Sequence, residues 1–168
     1  ILPDEVRKKL LSFIEKRKNS LKVAFDSNYR PNLWENKQIA RENINRAFEC
    51  CDIALPSLDD QMDLMELNNE ATVVEWFLLN KKRQTILKRG SNGPRLIGNR
   101  NFDCNFPSFS NVVDTTAAGD SFNAGFLASY FSGGSVFDSA WHGHELAKIV
   151  LSCKGAICPS KLTQVLNN

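Results

Sequence analysis

VVDTTAAGDSF, from Val112 to Phe122, puts two β-branched residues before Asp-Thr-Thr, then three small residues, a second acid and the start of an apolar stretch. The β-branched pair reads as the end of a strand, and the apolar stretch as a helix from about Gly119 to Phe131. Ala117, Ala118 and Gly119 leave the backbone unshielded where that helix begins. The first amides of a helix have no internal partner and carry the positive end of its dipole. An anion, and a phosphate in particular, fits such a place. Asp120 beside it would be placed to take a proton from a hydroxyl attacking the phosphate. The same residues would also serve as a tight turn with Asp120 as N-cap and the alanines as packing, so the choice falls to the rest of the chain.

Upstream, helical and strand patterns alternate. Residues 4–18 place Val6, Leu10, Leu11, Phe13 and Ile14 among charged residues, one face of an amphipathic helix. LKVAFD (21–26) reads as a short buried strand, and residues 37–50 return to helical spacing. DIALP (52–56) is a second strand. Ser57 with Asp60 three residues on is close to a capping pattern for the helix that follows. A further helix covers about 70–80, and RQTILKRG (83–90) is a β-branched strand ending in glycine. Residues 93–109 read as a hairpin or edge segment. After the 112–122 stretch come an SGGS break, a helix over about 136–153, GAICPS and a short final helix. Repeated strand and helix predict an α/β protein with a mostly parallel sheet. Ligands in such sheets sit beyond the carboxyl ends of strands, which singles out the loops at 27–34, 88–93 and 112–120.

Composition narrows the function classes. Apolar residues make up 42% and charged residues 24% of 168, ordinary for one globular domain spanning 1–168. The net charge of +2 comes without a basic stripe, which argues against nucleic acid as a partner. No apolar run approaches the roughly 18 residues of a membrane span, and ILPDEVRKKLL is too charged for a signal peptide. The five cysteines, Cys50, Cys51, Cys104, Cys153 and Cys158, show no paired spacing. They read as reduced thiols in a cytoplasmic protein rather than a disulfide framework or zinc site. His142 and His144, two apart in a helix, face different ways and predict no metal pair.

Two other loops share the character of the first. LKRGSNG (87–93) is a strand end followed by Gly-x-x-Gly, where Gly90 and Gly93 can take positive φ and present backbone to a ligand. Lys88 and Arg89 add positive charge there. A purely structural turn has the same composition. In FDSNYRPNLW (25–34), Pro31 disfavours helix at Arg30 and keeps the loop extended. Arg30 offers a planar fork for a carboxylate or phosphate, or for an acid of the protein itself.

These stretches resemble the ribokinase-like (PfkB) carbohydrate kinases, whose C-terminal signature has the form D-T-x-G-A-G-D. Within that family DTTAAGDSF, NYRPNLW and GAICP are most similar to 2-dehydro-3-deoxygluconate (KDG) kinases, Ala117 standing where the family usually has its first glycine. The resemblance implies a Rossmann-like three-layer sandwich, ATP and Mg²⁺ as cofactors, and a sugar acid as the other small-molecule partner. It implies Asp120 as the base for the acceptor hydroxyl and Ala117, Ala118 and Gly119 as the anion hole. Lys88, Arg89, Gly90, Ser91, Asn92 and Gly93 would form the nucleotide loop, joined by Asn28. Arg30 would bind the acidic sugar, whose carboxylate can take two parallel hydrogen bonds from a guanidinium. No metal ligand is implied by any residue of the sequence.

Family members begin with a half that holds a Gly-Gly sugar signature and a β-sheet lid, through which they often form homo-oligomers. Gly133-Gly134 here lies after the DTTAAGD stretch, and the chain opens on Ile inside a helical pattern. The expectation is therefore a C-terminal half that lacks the N-terminal half and lid. Two further readings stand beside a KDG kinase: another sugar kinase of the fructokinase or ribokinase kind, or a nucleotide-binding fragment inactive on its own.

Overall fold

The computed structural model describes residues 2–17, 19–79, 84–98 and 106–156. The chain divides into two compact units, residues 1–89 with 95–103, and residues 90–94 with 104–168.

The first unit holds α1 (Asp4–Arg17), β1 (Ala24–Phe25), a 3₁₀ turn at Pro31–Leu33, α2 (Lys37–Cys50), β2 (Ile53–Ala54), α3 (Leu58–Met65), α4 (Glu70–Leu79), β3 (Gln84–Leu87) and β4 (Arg95–Ile97). The sheet order is β1-β2-β3-β4, with β1, β2 and β3 parallel and β4 antiparallel to β3. This is the α/β, mostly parallel arrangement the alternation predicts. Within the 93–109 segment, Arg95–Ile97 is the returning arm of a β3–β4 hairpin.

Local signals explain the elements that match. Asn36 caps α2 by accepting the Ile39 amide at 2.9 Å, and Ala40, Ile44 and Phe48 recur at four-residue spacing on its buried face. Phe48 is fully buried and meets Phe25, Trp76 and Phe77 edge-on at 5.0–6.0 Å between centroids. Around it lie Val73, Leu87 and Ile97.

Several expectations change. β1 is shorter than 21–26 and not buried: Ala24 is exposed, and among the described strands β2 alone pairs with it, at one edge of the sheet. α1 turns Arg7 and Leu11 inward and leaves Val6, Leu10 and Phe13 exposed. Its anchor is ionic, since Arg7 donates to both Glu35 oxygens at 2.8 and 3.3 Å and lies 5.1 Å over the Trp34 ring. That contact ties α1 to the segment just after Arg30. Finally, among the described residues no strand leads directly into Asp114. The Val113 amide donates to the Leu151 carbonyl at 2.8 Å, so this backbone serves the end of a helix rather than a ladder, and Val112 and Val113 stay exposed.

The second unit pairs α5 (Ala118–Phe131) with α6 (Val136–Leu151), the latter capped by Ser135. The helices approach at Gly125 and Gly143, where added Cβ atoms would stand 2.8 Å from the His142 carbonyl and 2.7 Å from the Phe122 carbonyl. His144 is buried, while His142 is exposed, as their spacing predicts. Cys50 and Cys51 are buried thiols, whereas Cys153 is disulfide-bonded and so departs from the reduced state expected of it. Cys104, Cys158 and the final helix expected after GAICPS lie outside the described residues. No described helix is long and apolar enough to cross a membrane.

Candidate active site

In the second unit the chain reaches α5 through Asp114. Its carboxylate accepts the Thr116 hydroxyl at 2.7 Å, the Thr116 amide at 2.9 Å and the Gly155 amide at 2.9 Å. The Thr116 hydroxyl, followed by those two amides, holds the Asp114 carboxyl down at about 2. The loop thus folded delivers Ala117 as the N-cap in the left-handed region, φ 61° and ψ 12°, with no side-chain cap. This conformation explains why a glycine suits the position and why alanine is tolerated only with strain. The first internal bond of the helix runs from the Ser121 amide to the Ala117 carbonyl at 2.9 Å. Among the described residues nothing accepts the amides of Gly119 and Asp120, which open the helix. Asp120 sits in the first turn with its side chain exposed. The structure therefore brings Ala117, Ala118, Gly119 and Asp120 together as an uncapped helix N-terminus with a carboxylate at its rim.

The 88–93 loop is divided by the unit boundary, Lys88 and Arg89 belonging to the first unit and Gly90 to Gly93 to the second. Gly90 and Gly93 both take positive φ, 56° and 69°, around a 3₁₀ turn closed by the Gly93 amide on the Gly90 carbonyl at 3.2 Å. At Gly93 a Cβ would fall 2.5 Å from that of Phe106, so side chain is excluded by space as well as by conformation. Phe106 is itself held by the rings of Phe137, Trp141 and His144. Ser91 and Asn92 are exposed at the tip. The two cations before the turn point inward: Lys88 pairs with Asp26 and Arg89 with Glu70, and their side chains keep only 11% and 13% exposure. What the turn offers an anion is backbone.

The first unit assembles the third loop at the carboxyl ends of β1 and β3. Asp26 takes Lys88 on one oxygen and the Asn28 amide at 3.1 Å on the other, with Asn28 at φ 37°. Asp60 accepts the Tyr29 amide at 3.1 Å and faces Arg30 at 3.5 Å. Arg30 also donates to the Tyr29 carbonyl at 2.7 Å, yet more than half of its side chain remains exposed. Burial raises the Asp60 carboxyl against the pull of Arg30 and the Tyr29 amide. Ser57 makes no side-chain cap bond, so the Ser57–Asp60 capping pattern does not form, and Asp60 serves the loop instead. The sequence reading gave Asp26 and Glu70 no role and gave Asp60 only a capping one. The available signal was Asp26 itself, an acid at the end of a strand where this kind of sheet places its ligands.

A profile of the pfkB family carbohydrate kinases matches residues 1–162. The chain belongs to that family. It is 39% identical over 165 residues to the 2-dehydro-3-deoxygluconokinase of Escherichia coli K12, covering 95% of this chain and 53% of that protein. The Haemophilus influenzae protein of the same name is 35% identical over 94% of this chain and 51% of its own length. The chain spans about half the length of the curated relatives it matches. A fructokinase of Vibrio cholerae with fructose, ADP and calcium bound superposes with a TM-score of 0.84 at 19% identity, over 97% of this chain and 56% of its own. An aminoimidazole riboside kinase of Salmonella enterica gives 0.81 at 24%, over 95% and 57%. Both likenesses establish the ribokinase-like fold.

Proposed function

We propose that this chain supplies the ATP-binding and catalytic half of a kinase that phosphorylates 2-dehydro-3-deoxygluconate at its 6-hydroxyl. The observation that carries the reading is the start of α5, where an alanine in left-handed conformation leaves the Gly119 and Asp120 amides uncapped beside the exposed Asp120 carboxylate. Backbone donors fixed in place need no reorganisation as charge builds on a transferred phosphoryl group; one such donor is worth about 3–4 kcal/mol. Asp120 accepts the proton of the acceptor hydroxyl while the oxygen of that hydroxyl bonds to the γ-phosphorus. The bond to the β-phosphate oxygen breaks, and ADP leaves.

The Gly90–Gly93 turn is suited to a nucleotide phosphate because Gly90, at positive φ, and Ser91 and Asn92 lie exposed at its tip. Mg²⁺ would neutralise charge on the ATP phosphates. Among the described residues no group of three acidic, histidine or cysteine side chains could cage it; Mg²⁺ in such sites takes phosphate oxygens beside one or two carboxylates. Arg30, over half exposed and steadied by Asp60, is suited to the carboxylate that distinguishes a sugar acid from a neutral sugar. The names of these two relatives agree with an acidic sugar.

A substrate panel on the full-length enzyme tests this reading. ATP-dependent phosphorylation of 2-dehydro-3-deoxygluconate is expected to exceed that of fructose and ribose by kcat/KM, and Arg30→Ala to erode the preference by weakening the acid alone. Preference for a neutral sugar would replace the reading with that of a fructokinase or ribokinase. An equal loss for acid and neutral sugars in Arg30→Ala would assign Arg30 to the nucleotide or to structure.

A further inference from the structure

α5 and α6 meet backbone to backbone. A Cβ at Gly143 would stand 2.7 Å from the Phe122 carbonyl oxygen and 3.1 Å from two atoms of the Phe122 ring. From the other helix, a Cβ at Gly125 would stand 2.8 Å from the His142 carbonyl oxygen and 3.0 Å from the Gly143 Cα. Glycine weakens a helix interior relative to alanine, yet alanine has no room on either side of this crossing. The nearest atoms in the way are backbone, which no change of rotamer removes. Phe122 follows Asp120 by two residues, about half a helical turn. The depth at which the first turns of α5 sit is therefore set where Gly143 leaves space.

α6 is the firmer partner at the crossing. Ser139 and Ala140 are fully buried one turn before Gly143, and the Ser139 hydroxyl donates to the Ser135 carbonyl at 2.7 Å. At its end, the Leu151 carbonyl accepts the Val113 amide, and the Gly155 amide beyond reaches Asp114. The start of α5 has no side-chain cap, and Asp120 is exposed on it. A side chain forced in at residue 143 would displace that start.

We propose that Gly143 is a positioning residue for Asp120: by admitting the Phe122 backbone to the surface of α6, it sets where the Asp120 carboxylate stands toward the reacting hydroxyl. The proposal rests on Asp120 being the base, as argued above. Gly143 is assigned no contact with substrate and acts only through the first turns of α5.

Gly143→Ala in the full-length enzyme is the test. Ordinary contact begins at 3.4 Å, so the 2.7 Å approach must open by about 0.7 Å, and misplacement on the scale of 1 Å can cost about 10²-fold. We expect kcat to fall about 10–100-fold, measured well below the variant's melting temperature. KM for the sugar and Kd for ADP should stay within about threefold. Gly134→Ala is the control. Its Cβ would stand 2.5 Å from Ser129 Oγ and 3.0 Å from the Ser129 carbonyl oxygen, at the far end of α5, about 13 Å along the axis from Asp120. It should lose stability and keep kcat within about twofold. With Asp120→Asn already in place, Gly143→Ala should cost little more, because a base that is gone cannot be misplaced. Parental kcat in Gly143→Ala, an equal loss of kcat in Gly134→Ala, or losses that multiply in the double variant would each overturn the proposal and leave Asp120 as the base. If Gly143→Ala does not fold, Gly125→Ala closes the same space from α5 and should lower kcat alike. Failure of both to fold would overturn the proposal by making the crossing a condition of folding. Full turnover in Asp120→Asn would overturn the reading of Asp120 and the proposal together.

Discussion

Asp60 holds its carboxylate 3.5 Å from the Arg30 guanidinium while keeping only 20% of its side chain exposed. The acid is sunk and the arginine is presented. Such a pair orients the cation at a cost in stability, because a half-buried carboxylate loses water that one partner at this distance does not replace.

Asp60→Asn is therefore expected to leave the protein as stable as the parent at neutral pH, or more so. Asparagine can still accept the Tyr29 amide and carries no charge. The folded-state pKa of Asp60 is raised, so its stability contribution is fully present below the ordinary aspartate value of about 3.9 and is lost as pH rises through the folded value. The gap between variant and parent should then be widest at neutral pH and close on acidification, as read by thermal melts across that range. A variant clearly less stable at neutral pH would show that the Arg30 pair outweighs burial.

Ala117 supplies a second test, since its backbone is left-handed at the mouth of the proposed anion hole. Ala117→Gly removes roughly 1 kcal/mol of strain and adds a similar entropy to the unfolded chain, so stability should hardly change. Ala117→Val puts a β-branched side chain into the same conformation and should cost about 1–3 kcal/mol. Chemical denaturation separates the two. A valine variant as stable as the parent would mean that residue 117 is not left-handed.

Acidification should weaken the second unit through His144. Burial depresses its pKa, against the Pro107 carbonyl to which its Nε2 donates at 3.0 Å and against the nearby Glu145. A depressed base contributes stability that is present above the ordinary histidine value of about 6.5 and is lost as pH falls below it. His144→Gln should flatten the decline in stability between neutral pH and the carboxylate range. An unaltered pH profile would place the proton-linked group elsewhere.

Much of this was legible in the chain, for local reasons. α2 follows its sequence limits because a cap at Asn36 and an apolar stripe at Ala40, Ile44 and Phe48 lie within a few turns of each other. The small-residue helix start at Ala117 to Asp120 was legible for the same reason. Less readable were contacts set by tertiary pairing. Val112 and Val113 have strand propensity but meet the carbonyl of Leu151 instead of a ladder, and propensity carries no information about that partner. Lys88 read as a cation for the ligand, yet Asp26, 62 positions away, takes it. Asp60 looked like half of a capping box and instead supports the Arg30 loop, a choice made by burial rather than by spacing.

The role of Asp120 is tested most directly by the turnover of Asp120→Asn in the full-length enzyme, with ADP affinity measured alongside. Asparagine keeps the size of the side chain and the helix start but cannot accept the hydroxyl proton. Turnover should fall by about 10²–10⁴-fold, the usual share of a general base, while ADP affinity changes little because the Gly119 amide and the Gly90–Gly93 turn are untouched. A variant that keeps more than about a tenth of parental turnover, well above that expected loss, would remove Asp120 from the chemistry.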